Sequence, residues 1–161
     1  MLGNLGASTP IYAELLKNSA IVNIASGKYD IAESYLEQAG AIWESKIGKH
    51  NNINAATIDL LMGDIRYNQF DYNQAESFYN KAKARFEKFF NDQHPEYLKV
   101  QSKLSKAYYM QGDVKKAQRS LEEVLGKYQI FIEDYFPALS ESEKAKFWNT
   151  IRVDYEFYNS I

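Results

Sequence analysis

The 161 residues contain no cysteine. That removes disulfides, thiolate nucleophiles and Cys-ligated zinc or iron–sulfur centres together, and it fits a reducing compartment. Histidine is nearly as scarce, with His50 and His94 alone. Both fall in segments read as loops, without partners at ligand spacing, so capping or plain exposure is the expected role and no metal or cofactor is expected. Long apolar runs are missing too: the stretch Ala20 to Ala25 is broken by Asn23, far short of the roughly 20 residues that cross a bilayer. Met1 to Pro10 lacks the basic start and apolar core of a signal peptide. Nor is there an excess of either charge, since 19 basic and 21 acidic side chains leave −2. A chain so balanced has no field for gathering nucleic acid or anionic membrane. A cytoplasmic location, no membrane contact and no nucleic-acid partner are the expectations that follow.

What is present is repetition. YDIAESYLEQAGAIW begins at Tyr29, YNQAESFYNKAKARF at Tyr72 and VKKAQRSLEEVLGKY at Val114, a period of 43 and then 42 residues. Shifting by these offsets aligns Ala32/Ala75/Ala117, Leu36/Tyr79/Leu121, Ala39/Ala82/Val124, Ala41/Ala84/Gly126, Trp43/Phe86/Tyr128 and Ile47/Phe90/Ile132. The large members recur at helical steps and define the second helix of each repeat. Upstream, Leu15/Ile58/Val100, Ser19/Met62/Leu104, Ala20/Gly63/Ser105 and Val22/Ile65/Ala107 define the first.

The punctuation agrees. Thr9-Pro10 and His94-Pro95 place Pro at the first helical position, where its missing N–H costs nothing. Gly27 and Gly112 stand where a left-handed residue closes the first helix, and Asn68 is expected to serve in the middle copy. Ser140 and Glu143 spell a capping box at the head of a final helix. A helix pair with one apolar stripe per helix must stack on its neighbours, and about three repeats are the usual minimum for stability. The expectation is one all-α domain over 1–161, an α-solenoid of three hairpins at about 9–50, 51–92 and 93–134, with a seventh helix at about 140–160.

The small residue of the first helix, the Gly before the second, then Tyr-x-x-Ala with Leu and Ala downstream (Ala20, Gly27, Tyr29, Ala32, Leu36, Ala39) resemble the tetratricopeptide repeat over about residues 9–134. That family's period is about 34 residues, so the surplus is read as about one extra turn on each helix. Asp92, His94 and Pro95 ahead of the third first helix resemble the long-repeat variety of kinesin light chains and many bacterial multi-repeat proteins. The resemblance implies a right-handed superhelix with first helices lining its concave side. The tail, from Tyr135-Phe136-Pro137 through Phe147-Trp148 to Phe157-Tyr158-Asn159-Ser160, is similar to the segment joining repeats to protease-like domain in bacterial CHAT (caspase-like) proteins. A piece of a longer protein is therefore expected, and no catalytic residue carries over.

Candidate chemistry is sparse. Glu122-Glu123 and Glu141/Glu143 point apart on their helices and read as solvated faces rather than acid–base pairs. The 13 Tyr and 9 Phe read as core packing rather than base-stacking platforms, because no basic stripe interleaves them. Gly126 shares a column with two alanines and reads as a point of close helix approach. Trp148, Ile151, Tyr155 and Tyr158 share one face of the last helix, with Phe147, Val153 and Phe157 outside it. That helix is too apolar for a free end, so it either folds onto the third repeat or takes more protein, including a second copy.

Function follows from the resemblance: a groove on the first helices holds a protein or peptide. In tetratricopeptide proteins that clamp a C-terminal carboxylate, the basic positions correspond here to Lys17, Lys99 and Lys103. The clamp's two asparagines are replaced by Ile21 and Leu61, while Asp64 and Lys106 complete the expected lining. Lysines without the fixed amide donors favour acidic ligands with apolar anchors, with no demand for a free C-terminus; the alternative is a solvated face. The main expectation is an interaction scaffold, as an arm of a CHAT-type protease. A signalling-peptide receptor is the alternative, and a stand-alone enzyme the least favoured.

Overall fold

The computed structural model describes residues 8–48 and 53–161; His50 lies outside them. Among the described residues there are seven α-helices and no strand: α1 (Pro10–Ala25), α2 (Tyr29–Ile47), α3 (Ile53–Asn68), α4 (Tyr72–Phe86), α5 (Pro95–Met110), α6 (Val114–Asp134) and α7 (Glu141–Tyr158). A 3-10 turn, Phe136–Ala138, precedes α7. The elements are three successive helix pairs and a seventh helix, as the repeat predicts. Two compact units divide the chain, Met1–Arg85 and Phe86–Ile161.

The caps explain where the helices start. Thr9 accepts from the Tyr12 backbone N–H ahead of Pro10, and Asp113 accepts from that of Lys116. The Ser140/Glu143 box is closed in both directions; the Ser140 hydroxyl and backbone N–H both donate to the Glu143 carboxylate and hold its carboxyl below the usual range. His94 caps α5 through Nδ1, which accepts from Glu96 N at 3.2 Å, and its ring stacks on Phe90 at 3.6 Å.

In the first unit, Ala20, Ala32, Leu36, Leu61 and Ile65 form one buried cluster, and Ala13, Leu16, Ala39 and Trp43 a second. The columns of the second helices hold: Ala32/Ala75/Ala117, Leu36/Tyr79/Leu121 and Trp43/Phe86/Tyr128 are all buried. One column shows compensation. Where α2 and α6 carry Leu36 and Leu121, α4 carries Tyr79, and a Cβ at Gly63 would overlap the Tyr79 ring. The larger ring is fitted by the smaller residue opposite it.

Five expectations need correction. The left-handed residue of the middle turn is Phe70 at φ 64°, in register with Gly27 at 71° and Gly112 at 88°; Asn68 remains helical and bonds the Asp64 carbonyl. Gly126 is no point of close approach, because a Cβ there would meet nothing within 4 Å. Leu15 and Val22, aligned with buried residues of later copies, are exposed. The surplus residues of the middle repeat are not an added turn on α4, which ends at Phe86. They form a turned segment in which Phe86 stacks on Phe90. Finally, the aromatics are not mostly core: Trp43, Tyr79, Phe86, Tyr97, Tyr108, Tyr128 and Phe147 are buried, while Phe70, Tyr135, Trp148 and Tyr155 are exposed.

Candidate functional site

The first helices carry the candidate lining, four positions in one unit and three in the other. In the first unit, Lys17 on α1 pairs with Glu14 one turn earlier. Ile21, one turn on from Lys17, is 44% exposed. Leu61 lies in the buried cluster with Ala20 and Leu36, because its α3 face turns inward, so it offers no anchor to a ligand. Asp64 accepts from the Tyr79 hydroxyl at 2.8 Å. Burial, and then the Asp64 carboxylate, push the Tyr79 phenol far above its ordinary range. The phenol is thereby held as a neutral donor.

In the second unit, Lys99 is exposed and lies 3.8 Å from Glu96, a pair that contributes little on a solvated face. Lys103 is half-buried on the same helix. Lys106 is engaged: its Nζ lies 2.9 Å from Asp154 of α7 and 5.7 Å from the Phe157 ring centroid. Ser102 and Tyr128 also donate to Asp154, at 2.5 and 3.0 Å. This carboxylate is buried to 2% exposure, and three donors from α5 and α6 replace its hydration.

The sequence model of the tetratricopeptide repeat family matches residues 54–129. The matched region is a repeat of tetratricopeptide type. Such repeats generally mediate protein–protein interaction and form a non-catalytic family. The crystal structure of BtubC (BKLC) from P. vanneervenii is similar in fold, with a TM-score of 0.68 at 21% identity. The match covers 92% of this chain and 57% of that one, so the chain spans less than two thirds of that neighbour's length. No curated protein matches.

The tetratricopeptide reading leaves α7 to be explained, and here the hydrophobic pattern misled. Its buried residues are Phe147, Ile151 and Asp154, whereas Trp148 and Tyr155 are 50% and 46% exposed. Apolar periodicity alone cannot place a carboxylate inside, so the pattern sets the buried face one residue out of step. A signal did exist: Phe147, Ile151 and Asp154 each fall 47 residues after Val100, Leu104 and Ala107 of α5. The helix sits on the third hairpin through Phe147, which meets Phe131 at 4.6 Å and Tyr128 edge-on at 5.6 Å. On the side opposite this contact it shows Asn149 and the exposed Arg152–Glu156 pair at 3.9 Å, with the exposed Val153 beside them. No group of His, Asp and Glu suited to a metal occurs among the described residues, and no described helix is long and apolar enough to cross a membrane.

Proposed function

We propose that the chain is a protein-interaction scaffold that takes a partner segment on its first helices. The observation that carries this reading is the tetratricopeptide repeat match over residues 54–129, within which Lys99 and Lys103 stand outside the buried core; Lys17 and Ile21, on α1 ahead of the matched residues, stand outside it too. Acidic segments with an apolar side chain for Ile21 are the preferred ligands. Lys106 does not serve them, because Asp154 already neutralises it.

Affinity capture with cross-linking tests this. Partners caught by the wild-type chain should cross-link to Lys17, Lys99 or Lys103. They should be released as salt rises, because exposed charges are screened, and they should be lost with Lys99→Glu/Lys103→Glu. Retention of every partner by that variant at all salt concentrations overturns the reading. The role as arm of a CHAT-type protease is supported only by the similarity of residues 135–160, and the open reading frame downstream decides it.

A further inference from the structure

The turns inside the first two hairpins differ in a complementary way. In the repeat register Gly27, Lys28 and Tyr29 correspond to Phe70, Asp71 and Tyr72, 43 residues on. Gly27 and Phe70 share the left-handed backbone, at φ 71° and 64°. One turn therefore carries no side chain where the other carries a ring. At the next position one carries a cation and the other an anion.

Each difference costs local stability. A ring at positive φ is strained where glycine is not, and the third turn keeps Gly112 there, at φ 88°. Phe70 has little packing in return, since it is 77% exposed and meets Tyr72 edge-on at 6.4 Å. Lys28 leaves the head of α2 without a side-chain cap. Asp71 accepts from Gln74 N at 3.0 Å at the head of α4, and Asp113 caps α6. Residues held at such a cost gather where a surface is used. Repeats flank the middle hairpin on both sides in the sequence, so the exposure of Phe70 is not that of a terminal repeat.

The two turns lie together in the first unit. Gly27, Lys28, Tyr29, Asp30 and Ile31 of the one and Gln69 of the other line a cavity of about 410 Å³. There is room over Gly27, where an added Cβ would meet nothing within 4 Å, and Ile31 offers an apolar wall at 46% exposure. Phe70 follows Gln69 directly, so its ring is rooted at the rim of the cavity.

A knob rooted beside a hole of fitting chemistry is what a two-fold axis closes, because in such an interface each copy gives what it receives. We propose that two copies of the chain associate through these turns. Phe70 of each copy seats over Gly27 and Ile31 of the other, and Asp71 of each faces Lys28 of the other. Like turns set against each other would place acid on acid or lysine on lysine, which electrostatics disfavours. One ring and one ion pair per side make a small interface, so the dimer is transient, with a Kd on the order of 10–100 μM. The surface shares no residue with Lys17, Ile21, Lys99 and Lys103, and neither reading depends on the other.

Sedimentation velocity of the full chain, from about 5 μM to about 1 mM so as to bracket that Kd, tests the proposal. A reversible monomer–dimer equilibrium is expected. Phe70→Gly should weaken it at least about tenfold, as loss of a central aromatic anchor does, and Lys28→Asp about threefold or more by setting acid against acid. Unfolding is not the cause in either variant, because the first removes strain and the second supplies the cap that α2 lacks. Thermal melts of both at low concentration should therefore equal or exceed that of the wild type. Lys28→Asp/Asp71→Lys, which exchanges the two charges, should restore the dimer. A strict monomer at the highest concentration overturns the proposal, as does a dimer that Phe70→Gly leaves intact or one that the charge exchange fails to restore.

Discussion

Phe70→Gly should make the protein more stable although it deletes a large aromatic ring. Phe70 holds φ 64° in a turn whose counterparts are Gly27 and Gly112. A side chain in that left-handed region costs roughly 1–2 kcal/mol, while glycine returns about 0.5–1 kcal/mol of that through the greater freedom of its unfolded chain. The ring is 77% exposed and has an edge contact with Tyr72 at 6.4 Å, so little packing is forfeited. The net gain is about 0.5–1 kcal/mol, or ~1–4 °C in melting temperature for a chain of this size. In urea the midpoint should rise with the slope unchanged. Phe70→Ala keeps the strain and loses the ring, so the expected order of stability is Gly above Phe, and Phe at or above Ala. A Gly variant less stable than wild type would refute the reasoning, because the ring would then be contributing packing that its exposure denies.

Gly63→Ala should destabilise by about 1–3 kcal/mol through overlap with the Tyr79 ring; Gly63→Ala/Tyr79→Leu, which restores the pairing of α1 with α2, should recover most of it in the same urea melts. Trp43→Ala should cost about 3–5 kcal/mol, as a large aromatic only 2% exposed. Asp154→Ala removes the acceptor of Ser102, Lys106 and Tyr128 and should cost about 3 kcal/mol. It should also shift Trp148 fluorescence as α7 loosens; an unshifted spectrum with unchanged stability would place Asp154 in solvent. For His94, burial lowers the pKa, opposed by Glu96. The fold therefore favours the neutral ring, whose Nδ1 caps α5. Stability from this residue is present above the unfolded histidine range, about 6.5, and is lost as pH falls through it toward the lower folded value. Comparing wild type with His94→Asn, which keeps a capping side chain, should show the shallower acid dependence in the variant.

The helix order and hairpins could be read from the columns because each buried position recurs at the same step in three copies. Ala32, Leu36 and Trp43 are deep in the core where their alignment places them. What failed were positions whose environment depends on the neighbour and not on the column. Leu15 and Val22 share the register of Ile58 and Ile65, yet burial there comes from the preceding helix. Phe70 occupies a glycine column, and nothing in its own chemistry announces a positive φ. Asp154 escaped because a carboxylate enters a core only when Ser102, Lys106 and Tyr128 converge on it, and that convergence joins residues 26 to 52 positions apart. Of the lining positions, the sequence located the helices but not Leu61's inward turn or the capture of Lys106.

The matched sizes of Gly63 and Tyr79 bear on how such a chain diversifies. The first and second helix of one hairpin carry complementary steric marks, small against large in the middle copy and Ala20 with Leu36 in the first. Recombination that breaks between α3 and α4 would therefore bring a ring onto a Cβ, or leave a void where the ring stood. Breakpoints at the loops between hairpins keep each complementary pair intact. The hairpin, not the helix, is the unit that duplication and exchange can transmit in working order.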